Sequence, residues 1–191
     1  MLFFGGGEIC NEILPYVDYD AIRRNPKIIC SYSDSTTILE AVYYKSSLVT
    51  FYGASPRIFE NPSEYNTKSF LARLTSDSTE YTPGGRWRAL TPGGAEGTLI
   101  GGYLVNFAAM LGGRYFGINK NEKYILFIED HEKFSKPAVV SKWFSHIEQS
   151  GLLDNVSGLV FGHYSSEERP IIDDILTRIG KSHSIPVVRC E

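Results

Sequence analysis

The sequence predicts an α/β protein built as two lobes, and three observations carry that expectation. Strand-like and helix-like segments alternate through both halves of the chain, as they do where helices pack on a sheet. Tyr124-Ile125-Leu126-Phe127-Ile128 is an unbroken apolar run, as expected for a strand covered on both faces. Between the halves, residues 53–97 lose this regularity: Pro56, Pro62, Pro83 and Pro92 punctuate them, and Gly84-Gly85 and Gly93-Gly94 add turns. The expected organisation is an N-terminal lobe over residues 1–60, a crossover or linker over 61–95 and a C-terminal lobe over 96–191.

In order along the chain, Met1-Leu2-Phe3-Phe4 is apolar and is stopped by Gly5-Gly6-Gly7. A helical stretch to about Leu14 follows, then a second around Asp20–Arg24 that Pro26 breaks. Lys27–Cys30 reads as strand, residues 35–45 as helix and Leu48–Tyr52 as strand. Ile38, Leu39, Val42 and Tyr43 form the core-facing stripe of that helix. One helix is expected in the crossover, near Thr67–Thr75. The second half restarts at Gly97–Gly102, with a helix over roughly 103–112 closed by Gly112-Gly113. After the strand at 124–128, Val139, Val140, Trp143, Phe144 and Ile147 recur at helical spacing up to Gly151. Val156–Phe161 reads as strand. Pro170 starts a helix that Gly180 ends, and Pro186 opens a final strand.

The totals exclude several function classes. A chain of 191 residues, 42% hydrophobic and 21% charged, is long enough for one large domain or two small ones. Net charge is −3 and no basic run stands out, which argues against a nucleic-acid partner or an acidic lipid surface. The apolar stretches are far shorter than a membrane span. Cys10, Cys30 and Cys190 are an odd, sparse set without metal-type spacing. They fit a reducing compartment, here expected to be the cytoplasm, and neither a metal nor another cofactor is expected.

The informative stretch is Lys27–Thr36, in which Ile28-Ile29-Cys30 runs directly into Ser31-Tyr32-Ser33-Asp34-Ser35 and then a helix. A nucleophile elbow is a strand-to-helix turn so tight that the positions two before and two after its serine must be small. Ser31 and Ser35 occupy those places around Ser33, where glycines are usual. Ser33 or Asp34 as a plain helix N-cap explains the same residues. Both readings stand on the residues alone.

The stretch ILPYVDYDAIRRNPKIICSYSDST resembles the LD-carboxypeptidase family of serine peptidases, which includes muramoyl-tetrapeptide LD-carboxypeptidases and microcin C self-immunity proteins. The matching blocks are Gly6-Gly7, Leu14–Asp20, Asn25-Pro26 and Ser31–Asp34. Downstream, Leu99–Gly102, Leu126–Asp130 and Gly151–Gly162 continue the likeness. Gly6-Gly7-Glu8 followed by Asn11 looks more like the microcin-immunity branch than the peptidoglycan-recycling branch.

The resemblance implies a serine carboxypeptidase-type hydrolase that cleaves an amide near a peptide C-terminus through a Ser33 ester. The backbone N–H groups of Asp34 and Gly7 would form the oxyanion hole, each donor worth about 2.7–4 kcal/mol of barrier. Glu129 would orient the catalytic histidine, with Asp130 as its rival. Trp87 and Glu8 would line the cleft for a small peptide or peptidyl-nucleotide substrate. A homodimer is left open.

The family's base follows the last Pro-Val-Val type strand, and no residue here matches it: His131, His146, His163 and His183 all stand elsewhere. The family also has a strand–helix region before the Gly-Gly turn. The expectation is therefore a chain truncated at both ends and impaired, since losing one member of a serine triad typically lowers kcat by about 10⁴–10⁶. Tyr103 where the family has asparagine, and Ser31 where it has glycine, leave a non-catalytic peptide- or nucleotide-binding remnant as the alternative. An unrelated α/β domain with Ser33 as a cap is the third.

Overall fold

A computed structural model describes residues 1–191 apart from 2, 4–5, 54–58, 61, 77–79, 82, 163, 165–166 and 191. Leu2, Phe4, Gly5, Pro56 and His163, which entered the sequence reading, lie outside the described residues. The chain divides into two compact units, Met1–Gly84 and Gly85–Glu191.

In the first unit a 3-10 helix spans Cys10–Tyr16, followed by α1 (Tyr19–Arg24), β1 (Cys30–Ser31), a 3-10 turn at Ser33–Ser35, α2 (Thr36–Ser46), β2 (Phe51–Tyr52) and α3 (Glu64–Thr75). The segment expected as helix up to Leu14 is 3-10 and ends at Tyr16, just past Pro15, which has no N–H to donate. Asp18 caps α1, its Oδ1 accepting the Ala21 N–H at 2.8 Å. β1 and β2 pair in parallel, Cys30 opposite Phe51 and Ser31 opposite Tyr52. On the other side of β1, the Cys30 N–H donates to Met1 O and the Phe3 N–H to Cys30 O. Ile29, Leu39 and Val42 form a small buried core, covered by Tyr19, Ile22, Ile38 and Leu48. The apolar stripe of α2 is thus what seats the helix on the β1–β2 pair and fixes the corner between them.

The second unit is a five-stranded sheet, in the order β3 (Trp87–Thr91), β7 (Val187–Cys190), β6 (Val156–Phe161), β5 (Tyr124–Glu129) and β4 (Thr98–Tyr103). β4, β5, β6 and β7 are parallel, and β3 joins the edge antiparallel to β7. The helices are α4 (Leu104–Met110), α5 (Pro137–Gln149) and α6 (Arg169–His183). Leu126, Ile128, Phe144, Ile147, Phe161 and Leu176 are fully buried between sheet and helices. Among the described residues, no helix is long and apolar enough to cross a membrane.

Two elements differ from the sequence reading. Residues 87–91, read as crossover, form β3; its Trp87, Arg88 and Ala89 are exposed, so the edge strand shows no apolar alternation to detect. α6 runs through Gly180 and ends at His183, with Ser184 in the left-handed cap conformation at φ +56°. Gly180 is there for close approach: a Cβ would stand 2.5 Å from Thr91 Oγ1 and 2.7 Å from Val187 Cγ2. β7 also carries the buried Arg189, whose Nε lies 2.8 Å from Asp173 Oδ1 on α6, which Arg88 of β3 approaches at 3.2 Å.

Gly180→Ala should improve helix propensity by about 1 kcal/mol and still destabilise the protein by about 1–3 kcal/mol, because the added methyl overpacks the α6–sheet contact. Urea unfolding of the two proteins reads the difference directly. A second expectation concerns acid. Burial pushes the Glu148 carboxyl up, but the Arg178 fork (3.1 Å to each oxygen) and His183 outweigh it and leave it below the usual carboxylate range. A folded pKa below the unfolded one means that the pair's stabilisation is present above the unfolded value of 4.5 and is lost as pH falls through the folded value. Arg178→Ala should therefore lower stability at pH 7 by no more than about 1 kcal/mol, the pair being part-exposed, and should leave it unchanged at pH 2.

Candidate functional site

Among the described residues, three that are not glycine have positive φ: Ser33 at +58°, Ser47 at +55° and Ser184 at +56°. Ser47 and Ser184 are helix C-caps, where that conformation is routine. Ser33 ends no helix. It opens the 3-10 turn that leads from β1 into α2, where a left-handed serine is strained by about 1–3 kcal/mol unless its surroundings hold it. They do. The Ser33 N–H donates to Tyr52 Oη at 2.9 Å, and Ser33 O accepts from Thr36 Oγ1 at 2.6 Å. Thr37 Oγ1 donates to Asp34 O at 3.1 Å. Ser31, Asp34, Ser35, Thr36 and Thr37 are buried, and only Tyr32 and Ser33 retain access. Ser31 fits where glycine is usual because its hydroxyl turns away and donates to Phe3 O at 3.0 Å.

The cap reading fails on the same geometry. The N-cap of α2 is Ser35 and no side chain caps it. The Asp34 carboxylate turns instead to the glycine turn, its Oδ2 accepting the Cys10 N–H at 3.0 Å. Gly7, at φ +148°, leaves the space this needs: a Cβ there would lie 2.9 Å from Asp34 Oδ2. One buried carboxylate thus ties Gly7 and Cys10 to the residue that follows Ser33. Cys10 opens the 3-10 helix just after this turn, but burial first, then the hydrogen bond and charge of Asp34, push its thiol up to about 11. It stays protonated at neutral pH and is no rival nucleophile. Glu8 is exposed at the tip of the turn.

Glu129 and Trp87 belong to the second unit. Glu129 ends β5 in register with Tyr103 of β4 and is half-buried. Gly162, just past β6, makes room for it: a Cβ there would stand 3.0 Å from Glu129 Cβ. Asp130 is buried, and its Oδ1 accepts the His131 N–H at 2.7 Å. Burial raises its pKa, against the lowering by the His131 N–H, Ser135 and Tyr103. Tyr103 is pushed well above the ordinary phenol range by burial and then by the Asp130 charge. Asp130 therefore secures the turn after β5, and Glu129 is the carboxylate at the strand end that meets solvent. Trp87 opens β3 and is 46% exposed. Of the described histidines, His131 accepts the Lys133 N–H, His146 packs on Trp143 and His183 meets Glu148 at 3.2 Å. Among the described residues no group of His, Cys, Asp and Glu side chains is arranged to hold a metal ion.

Sequence reasoning missed two contacts that build this site. Tyr52 was read only as strand, although parallel pairing of β1 with β2 puts its hydroxyl at the Ser33 amide. Asp34 was chosen for its backbone N–H, and no local pattern signals that its side chain reaches Cys10.

These features define a two-unit α/β protein, with a left-handed serine at a strand-to-helix corner in the first unit and a largely parallel sheet in the second. Residues 1–53 match the LD-carboxypeptidase N-terminal domain, and residues 96–190 match the LD-carboxypeptidase C-terminal domain. The chain belongs to the LD-carboxypeptidase family. It is 32% identical to the microcin C7 self-immunity protein MccF of Escherichia coli, over 96% of this chain and 62% of that protein. The crystal structure of an MccF-like protein from Bacillus anthracis superposes with a TM-score of 0.85 at 28% identity, covering 99% of this chain and 65% of that one. MccF in complex with glutamyl sulfamoyl guanosine gives 0.79 at 30% identity, covering 97% and 65%. The chain thus spans less than two thirds of these relatives.

If Ser33 is strained as its φ indicates, Ser33→Gly should be about 1 kcal/mol more stable than Ser33→Ala, which should itself lie close to the parent. Denaturant midpoints give the order, and a glycine variant less stable than the alanine variant would contradict it.

Proposed function

We propose that this chain carries the acyl-transfer machinery of a serine carboxypeptidase, with Ser33 as the nucleophile of an elbow. The observation that carries this reading is the left-handed Ser33 at the strand-to-helix corner, partly exposed amid buried neighbours and next to a glycine turn. In it, Ser33 Oγ adds to the substrate's amide carbonyl, and the oxygen that becomes negative is met by the backbone N–H groups of Asp34 and Gly7. The C–N bond then breaks, the amine leaves with the proton taken from Ser33, and water hydrolyses the ester to release the acid and regenerate the hydroxyl. Glu129 orients and charge-stabilises the imidazole that carries the proton. None of the described histidines supports that role by its contacts, so the 191-residue chain is expected to acylate slowly.

The substrate is an amide near the C-terminus of a small peptide, or the bond between a peptide and a nucleotide-like group. The second form is favoured by the identity to MccF, whose complex holds glutamyl sulfamoyl guanosine. Trp87, exposed at the start of its strand, is assigned to stack on the planar part of that ligand, and Glu8 to line the cleft. The unmatched stretch between the two family domains supports residues 61–95 as the segment that joins lobes 1–60 and 96–191, its β3 adding to the sheet of the second unit. Three free cysteines support a reducing compartment, the cytoplasm.

A fluorophosphonate that reacts with activated serines tests this. It should label Ser33 slowly in residues 1–191, and about 10³-fold or more faster in a chain extended through the family's histidine turn. Gly7→Ala should slow labelling by about 10²–10³. Equal rates with and without the extension would refute the need for that base, and labelling elsewhere than Ser33 would refute the nucleophile.

A further inference from the structure

The register of the second sheet sorts the ends of its strands into two rows. Ile128, Phe161 and Arg189 stand side by side on β5, β6 and β7, and all three are buried. Arg189 and its cross-strand partner Arg88 both reach Asp173 of α6, at 2.8 and 3.2 Å, so this row faces the helix. Side chains alternate along a strand, and the next residue of each strand turns to the opposite face. Those residues are Glu129, Gly162 and Cys190. Tyr103 of β4 extends their row as the cross-strand partner of Glu129, and Trp87 of β3 extends it as the partner of Cys190. Tyr103, Glu129, Gly162 and Cys190 are half-buried and Trp87 is exposed.

A parallel sheet is ordinarily covered on both faces. Here a row that stays part-open lies at the carboxyl ends of the strands, where α/β folds gather their ligands. Its profile is notched. The large side chains of Glu129 and Trp87 flank Gly162, which has none, and Cys190, which has a small one. A Cβ on Gly162 would stand 3.0 Å from Glu129 Cβ, so a larger residue there would displace the acid. The Cys190 thiol donates to Phe161 O at 3.3 Å and burial pushes its pKa up, so it acts by its size and not as a nucleophile. From Glu129 to Trp87 the row crosses three strand spacings, about 14 Å. An extended peptide needs about four residues to span that distance, and a dipeptide covers about half of it.

We propose that Gly162 and Cys190 floor a notch that carries the middle of an elongated ligand between Glu129 and Trp87, and that the size of residue 190 selects which ligands fit. The inference rests on the reading of Glu129 and Trp87 as parts of the site. The ligand has an aminoacyl or peptidyl group at the Glu129 end, a planar ring at Trp87 and a slim linker between them. A ligand that ends short of residue 190 does not sense it.

The test is binding to the 191-residue chain carrying Ser33→Ala. The long probe is glutamyl sulfamoyl guanosine, the compound in the MccF complex, and the short one is guanosine. Calorimetry reads the affinities, and the amide resonance of Gly162 reads contact with the notch. The long probe should shift that resonance and guanosine should leave it in place. Cys190→Phe should weaken the long probe at least tenfold more than it weakens guanosine, and Cys190→Ala should bind both as the parent does. Equal losses of the two probes in Cys190→Phe, or no loss of the long one, overturn the proposal. Should Cys190→Phe fail to fold, the Gly162 resonance decides alone: its failure to move with the long probe, or an equal shift with guanosine, is equally decisive. If Trp87→Ala weakens both probes while residue 190 has no effect, the notch falls and the proposed site stands. A size effect at residue 190 without fluorophosphonate labelling of Ser33 sinks the catalytic reading and leaves the notch.

Discussion

The arrangement around Ser33 depends on one hydrogen bond, from the Cys10 N–H to the buried carboxylate of Asp34. Asp34 follows the serine on the chain, so its backbone is fixed by the corner and its side chain by the glycine turn. Gly7 is required because that carboxylate occupies the place of its Cβ. A carboxylate with 1% exposure is tolerated only where donors meet it, which makes the contact between turn and corner obligatory rather than incidental. The strain at Ser33 persists for the same kind of reason. Tyr52, Thr36 and the β1–β2 pairing each hold part of the corner, and relaxing the serine would break several contacts at once.

The second unit solves a different problem, that of two adjacent carboxylates with different surroundings. Glu129 and Asp130 are neighbours in sequence, and their separation is set by the end of β5. Asp130 folds back onto the His131 amide and is desolvated, whereas Glu129 continues the strand in register with Tyr103. Environment alone makes one an anchor and leaves the other accessible.

Much of this was legible in the chain. The long helices and strands of the second unit declare themselves by periodicity, because each buries one face or two. Gly180 misled because a glycine near a helix end usually stops it, and only the approach of Thr91 and Val187 shows its packing role. β3 escaped because an exposed edge strand carries no alternation. At the site, Ser33 was visible as a small-residue corner, and the family likeness is the ground on which Gly7, Asp34 and Glu129 are proposed as its partners. The contacts that hold the corner were not visible, since Asp34 to Cys10 and Ser33 to Tyr52 span 24 and 19 residues. No local pattern encodes a pairing over such distances.

The most direct test of this account is amide hydrogen exchange at Cys10 in the parent and in Asp34→Ala. Loss of a hydrogen bond to a buried charged group should speed exchange at Cys10 by about ten- to a hundredfold, while Leu39–Val42 in the core of α2 exchange as before. Unchanged exchange at Cys10 would mean that the carboxylate does not hold the turn, and the coupling of Gly7 to Ser33 would fall with it.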